Sequence, residues 1–121
     1  DYISAAANAV PQQDKLETLV IKEDFGELAG KIPVSAVKSM IGEALSASGV
    51  FQIASSIGAI TKGFIPPTIN YKEKDPECGL DYVPNESRSA KVKNVLINNF
   101  GPGGNNASAV ISKYEPRPSL E

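Results

Sequence analysis

Lys38 and Glu43 lie five residues apart in the segment VSAVKSMIGEALSASG (34–49), and their types and spacing suit proton chemistry. An ammonium beside a carboxylate can serve as an activated lysine with a general base, or it can form a structural ion pair. The chain contains no histidine, the side chain that most often moves protons near neutral pH. Both roles are open at this point: a structural pair, or Glu43 as a general base with an activated Lys38.

Composition narrows the classes of protein that need to be considered. The 121 residues are 41% hydrophobic and 21% charged, which fits one globular domain. A net charge of −2 argues against nucleic acid and anionic membranes as partners. The single cysteine, Cys78, cannot form an internal disulfide and has no metal-ligand spacing around it, so we expect a cytoplasmic protein without metal or cofactor.

The elements that must position Lys38 and Glu43 follow a mixed α/β order. The predicted elements are a helix from a capping box at Asp14 and Glu17 to about Gly26, a strand at 32–37, a helix at 41–62, a surface loop at 71–86, and a hairpin of strands 92–100 and 106–114 around Gly101-Pro102-Gly103-Gly104. No apolar run is long enough to span a membrane. Because Asp1 opens directly into an apolar segment, we expect further sequence upstream or on another chain.

The predicted helix at 41–62 has apolar residues around its whole circumference. These residues are Leu45, Val50, Phe51, Ile53, Ile57 and Ile60. Such a helix is expected to be buried on most sides. The other predicted elements are too few to wrap it, so the sequence predicts a missing partner half.

Six groups of residues carry a resemblance to a known family. They are 2–5 (YISA), Pro11 with 14–17 (DKLE), Val34-Ser35 with 38–40 (KSM) and Gly42, 65–70 (IPPTIN), 75–78 (DPEC) with 80–85 (LDYVPN), and 99–101 (NFG) with Gly103-Gly104 and 106–108 (NAS). At this spacing the chain resembles the C-terminal half of a β-ketoacyl-acyl-carrier-protein synthase over residues 1–115, and 116–121 are treated as a tail outside the domain.

The resemblance implies an α/β, thiolase-like fold, in which each half has a mixed five-stranded sheet and contributes one buried central helix. It also places the nucleophilic cysteine in the N-terminal half, so Cys78 is expected to be structural. Ala6 and Glu43 stand at the positions of the two histidines that assist malonyl decarboxylation. Pro102 stands where a backbone N–H would complete the oxyanion hole, and proline has none.

Lys38 is matched to a family lysine that pairs with a glutamate fourteen residues further on, where this chain has Gln52. A buried ammonium without its partner costs on the order of several kcal/mol, so either the site is wetter, or Lys38 is neutral, or another carboxylate replaces the lost one. Glu43 is the candidate for that replacement, and we favour this structural pair over a general base because nothing nearby would hold an oxyanion. The chain alone is predicted to be inactive.

The resemblance implies three possible functions. The favoured one is that of a chain-length factor, a non-condensing subunit that completes the acyl tunnel of an active ketosynthase. Ile41, Phe51 and Phe100 would line that tunnel, and the partners would be the N-terminal half, the active ketosynthase and acyl carrier protein. The alternatives are an acyltransferase whose nucleophile lies on the absent half, and an inactive relic.

Overall fold

A computed structural model describes residues 1–116, so the predicted tail lies outside the described residues except for Pro116. The helices are α1 (Pro11–Phe25), α2 (Lys38–Ile41) and α3 (Ser48–Lys62), with single 3₁₀ segments at Gly26–Lys31 and Leu45–Ala47. The strands are β1 (Tyr2–Ser4), β2 (Val34–Ser35), β3 (Phe64–Ile65), β4 (Arg88–Ser89), β5 (Asn94–Phe100) and β6 (Asn106–Ser112). None of the helices within residues 1–116 is both long and apolar enough to cross a membrane.

The main sheet has the strand order β2-β1-β5-β6. β1 runs parallel to both β2 and β5, whereas β6 is antiparallel to β5, so the sheet is mixed as predicted. The described residues form four strands of this sheet, one fewer than the resemblance implies. A separate antiparallel pair joins β3 to β4.

Successive residues of β1 point to opposite faces of the sheet, as in any strand. Tyr2 belongs to a core cluster with Ala59 of α3, and Ile3 belongs to a second cluster with Ile21 of α1. The two long helices therefore cover opposite faces of the sheet. Tyr2 also forms a buried hydrogen bond of 2.7 Å with Ser35 Oγ on the neighbouring strand β2.

The predicted hairpin is present. β5 and β6 pair from Asn94 opposite Ser112 to Phe100 opposite Asn106. The Gly101 N–H closes the turn on the carbonyl of Asn105 at 2.9 Å. This hairpin places the glycine-rich loop at one end of the sheet.

The predicted helix at 41–62 is wrong in its first third. α2 ends at Ile41, and Gly42 follows with a φ of 81°. Leu45 has a φ of 50°, which a helix cannot accommodate, and α3 begins only at Ser48. Two helices and a short 3₁₀ turn thus replace one helix, and Glu43 lies in the connection between them.

This chain buries α3 on one face only. That face carries small or polar residues: Ser48, Gln52, Ser56 and Ala59. The apolar face is exposed, and its members are Val50, Phe51, Ile53 and Ile57. The small residues allow close packing, since a Cβ at Gly49 would lie 3.0 Å from Asn99 Nδ2 of β5.

Candidate functional site

A cleft of about 1200 Å³ opens between α1, the loop after β1, the segment around Glu43 and the glycine-rich loop. The side of α1 that faces it carries Leu16 and Val20, which are otherwise exposed. Phe100 and Pro102 line the opposite side. The cleft thus lies at the end of the sheet where the loop after β1 meets the loop after β5.

The Lys38 ammonium lies beside this cleft and faces the Glu43 carboxylate, with 2.8 Å between Nζ and Oε2. Nζ also donates a hydrogen bond of 2.6 Å to Asn8 Oδ1. The Lys38 side chain is only 6% exposed, whereas that of Glu43 is 39% exposed. Because α2 stops at Gly42, Glu43 leaves the helix and its carboxylate reaches back to the lysine.

The second oxygen of Glu43 is also bound. Oε1 accepts a hydrogen bond of 2.8 Å from the Leu45 N–H and another from the Ser48 hydroxyl. The hydrogen bond from Lys38, followed by that from Ser48, lowers the pKa of the Glu43 carboxyl. A carboxylate with a lowered pKa is a weak base, so this arrangement suits a counter-ion better than a proton acceptor.

Ala6 is buried at the end of β1, where its methyl group offers no proton. Its backbone N–H and that of Ala7 donate to the two oxygens of Glu17, each at 3.0 Å. Asn98 Nδ2 adds a third hydrogen bond to Glu17 at 3.1 Å. A buried carboxylate therefore holds the backbone of this loop in place.

The sequence prediction missed this role for Glu17. The predicted capping box is wrong, because α1 begins at Pro11 and its N-cap residue, Val10, makes no side-chain cap. Pro11 favours the start of the helix instead, because a backbone N–H in the first turn would have no partner within the helix and proline has no N–H. One sequence signal could have indicated that Glu17 is buried. Glu17 lies four residues before Ile21, so the two residues lie on the same face of α1, and that face is the buried one.

Gln52 lies fully buried on α3. Its Nε2 donates to the carbonyls of Ala5 and Asn98, both at 2.9 Å, and to that of Ser4 at 3.2 Å. Its Oε1 is buried without a hydrogen-bond partner among the described atoms. The Gln52 side chain thus serves mainly as a donor to strand-end carbonyls.

The glycine-rich loop is tied to the loop after β1 by Asn8. Asn8 Nδ2 donates to the Phe100 carbonyl at 3.1 Å, while Asn8 Oδ1 accepts from Lys38. One amide side chain thereby connects the glycine-rich loop to the ion pair. Pro102, at the tip of this loop, lines the cleft without an N–H to offer.

The structure brings only some of the predicted residues together. Phe100, Pro102 and Glu43 line the cleft. Ile41 and Phe51 are about half exposed, at 50% and 48%, and lie outside it. Cys78 is a free, partly buried thiol on the loop at 71–86, next to Glu77, which pairs with Lys15 of α1.

Comparisons with known proteins give consistent results. Residues 1–72 match the family described as "Beta-ketoacyl synthase, C-terminal domain". The chain is 46% identical over 112 residues to the tetracenomycin polyketide synthase ketoacyl synthase alpha subunit of Streptomyces glaucescens, covering 93% of this chain and 26% of that protein. It is 44% identical over 113 residues to 3-oxoacyl-[acyl-carrier-protein] synthase 2 of Coxiella burnetii, covering 93% of this chain and 27% of that protein.

Solved structures show the same likeness. The ishigamide ketosynthase/chain length factor matches with a TM-score of 0.90 and 38% identity, covering 95% of this chain and 28% of that one. A type II PKS acyl-carrier protein in complex with its ketosynthase, bound to the hexaketide, matches with a TM-score of 0.91 and 37% sequence identity. This match covers 93% of this chain and 28% of that one. The predicted fold class is confirmed, and the chain spans about a quarter of the length of these relatives.

Proposed function

Because the chain belongs to the β-ketoacyl synthase C-terminal domain family, we propose that it acts in fatty acid or polyketide biosynthesis as a non-condensing ketosynthase-like subunit or domain. In this role it shapes an acyl tunnel together with an active ketosynthase. The observation that carries the proposal is the 2.8 Å pair of Lys38 with Glu43, because it occupies a position at which the resemblance implies a catalytic histidine.

Condensation needs groups that assist loss of carbon dioxide and hold the resulting enolate. At the two positions implied for those groups, Ala6 has no titratable atom and Glu43 is held as a carboxylate by Lys38 and Ser48. An ionised carboxylate cannot donate a hydrogen bond to an enolate oxygen, and its charge opposes the developing negative charge. The side chains of this half therefore do not support decarboxylation.

Stabilisation of a tetrahedral intermediate is weakened as well. The resemblance implies that a backbone N–H at position 102 contributes to the oxyanion hole, and Pro102 cannot supply it. Loss of one oxyanion donor typically costs about 100- to 1,000-fold in rate. This substitution also disfavours an acyltransferase function, since acyl transfer passes through the same kind of intermediate.

The cleft and the relatives support the proposed partners. One similar structure is named as a ketosynthase/chain length factor, and another as an acyl-carrier protein bound to its ketosynthase. We propose that an N-terminal half completes this domain, that an active ketosynthase shares its tunnel, and that acyl carrier protein delivers the chain. Phe100 would limit chain length from the cleft, with Ile41 and Phe51 contributing where the partner covers them.

Reconstitution tests this function. The protein at its native length is combined with the active ketosynthase of its own pathway and malonyl-loaded acyl carrier protein, and product length is measured by mass spectrometry. Phe100→Ala is expected to lengthen the products, because it enlarges the tunnel. Phe64→Ala on β3, an equally large but partly exposed change outside the cleft, is the matched control.

Unchanged products with Phe100→Ala would argue against tunnel shaping. An acyl group retained covalently by the protein after removal of the carrier would instead support the acyltransferase alternative. Products of the same length with and without the protein would contradict the proposal as a whole.

A further inference from the structure

The cleft has an unusual balance of charge. Among its described lining residues, Glu17 and Glu43 are the charged side chains, and neither lysine nor arginine is present. The remaining side chains of the lining are mainly apolar or carry amides. The apolar ones include Val10, Leu16, Val20, Leu45 and Phe100, and the amides are Asn8, Gln13, Asn99, Asn105 and Asn106.

The Lys38 ammonium offsets this charge only in part, because it lies behind the Glu43 carboxylate and does not line the cleft. Its side chain is 6% exposed, and its ammonium is engaged by Glu43 and by Asn8. A third carboxyl, Asp14, lies close enough to Glu17 that burial and this neighbour raise its pKa. The Glu43 carboxylate, 39% exposed and part of the lining, is therefore the end of the ion pair that faces the cleft.

We propose that this cleft accepts uncharged acyl chains and rejects acyl groups that end in a carboxylate, with Glu43 as the residue that sets this specificity. The inference rests on the proposed acyl-binding function and names its substrate class. The physical reason is that an approaching carboxylate meets a like charge in a partly desolvated site, where repulsion is stronger than in water. The apolar walls favour an alkyl or polyketide chain in either case.

Three pantetheine thioesters test the inference by direct binding to the protein at its native length. The malonyl thioester carries a free carboxylate, its methyl half-ester is uncharged and similar in size, and the hexanoyl thioester reports acyl binding in general. We expect the half-ester to bind at least about tenfold more tightly than the malonyl thioester, a difference of about 1.4 kcal/mol. The preference is expected to shrink as salt rises, because the charges become screened.

Variants identify the residue responsible. Glu43→Gln is expected to remove most of the preference, whereas Glu43→Asp, which keeps the charge, is expected to retain it. Glu23→Gln on the exposed side of α1, outside the cleft, is the control for an equal change in net charge. If Glu43→Gln impairs folding, the double variant Lys38→Met with Glu43→Gln, which removes both charges of the pair, takes its place in the same comparison.

The outcomes separate the two claims. Hexanoyl binding with equal affinity for the malonyl thioester and its half-ester would overturn the charge filter and leave the proposed function standing. A preference that Glu43→Gln leaves intact would overturn the assignment to this residue. Failure of all three thioesters to bind would overturn the acyl-binding function and the inference with it.

Discussion

At the scale of single residues, the site combines two residues that differ from those the resemblance implies, Glu43 and Gln52, and the two are consistent with one another. Glu43 supplies a counter-ion to Lys38 at 2.8 Å, and Gln52 donates to three strand-end carbonyls. A neutral side chain at position 52 is compatible with those carbonyls, while a charged one at position 43 satisfies the buried ammonium. We propose that the pair is structural and that it preserves the fold at a site without condensing chemistry.

Glu43→Gln is expected to lower the melting temperature, because it leaves the Lys38 ammonium buried without a counter-ion. The loss is expected to be about 1–3 kcal/mol, below the range for fully buried pairs, since Glu43 is partly exposed. Thermal unfolding at pH 7 measures it, with Glu23→Gln as the control. An unchanged melting temperature would show that the pair does not stabilise the fold.

The contribution of Glu43 should also depend on pH. Its pKa is lowered from 4.5 in the folded state, so the unfolded chain binds the proton more readily. The stabilisation is therefore complete above about pH 4.5, the ordinary pKa, and is lost as the pH falls through the folded pKa. The difference in stability between the unmodified protein and Glu43→Gln should shrink in acid; a constant difference from pH 7 to pH 3 would contradict this.

Gln52→Glu is expected to destabilise the protein at pH 7, because it places a carboxylate oxygen against the carbonyls of Ala5 and Asn98. Burial would raise the folded pKa of the new carboxyl, so the penalty should be small in acid and grow as the pH rises above about 4.3. Denaturant unfolding at pH 4 and pH 7 tests this, with Gln12→Glu on exposed α1 as the control. A more stable variant would indicate that the new carboxylate pairs with Lys38.

At the scale of elements, local patterns predicted some parts of the fold well. The hairpin was predicted from two strand-like runs on either side of the glycine-rich loop, and the end of α1 was predicted from Gly26. The break before α3 did not, because only the backbone reveals positive φ values at Gly42 and Leu45. The apolar residues around the helix that became α3 indicated that it is buried. They did not show that the face buried within this chain is the one that carries Gln52 and Ser56.

The candidate site was predictable only in part. The Lys38–Glu43 contact was expected from the resemblance together with the lost partner at position 52, and the structure places these two charges in contact. The roles of Glu17 and Asn8 were not foreseen, because both act on backbone groups of segments distant in sequence. Contacts of that kind depend on topology, which a local sequence pattern does not contain.

The loop between β1 and α1 has strained backbone. Ala9 has a φ of 58°, a region that an L-residue with a Cβ occupies at a cost. Ala9→Gly is therefore expected to stabilise the protein by up to about 1 kcal/mol. Denaturant titration measures the free energy of unfolding of this variant and of a control, Ala54→Gly, at an exposed position inside α3. The control should destabilise the protein by about 1 kcal/mol, a change of opposite sign. A loss of stability in Ala9→Gly would show that the strain is absent.

At the scale of the whole molecule, α1 and α3 both turn apolar side chains outward. Beside Leu16 and Val20, which line the cleft, α1 exposes Leu19, and α3 exposes Val50, Phe51, Ile53 and Ile57. Contiguous exposed apolar surface of this kind commonly marks a contact with other protein segments. The outward faces fit the proposal that this domain works with an N-terminal half and a ketosynthase partner.

Carbon dioxide release from malonyl-loaded acyl carrier protein tests the central claim most directly. The protein at its native length is assayed alone and then with its active ketosynthase, with the malonyl carboxylate isotopically labelled. We expect no release above the uncatalysed background from the protein alone, because neither Ala6 nor Glu43 can assist decarboxylation, and release only when the active ketosynthase is present. Release by the protein alone, lost in the Lys38→Met variant, would contradict the account and show that this altered site retains decarboxylating chemistry.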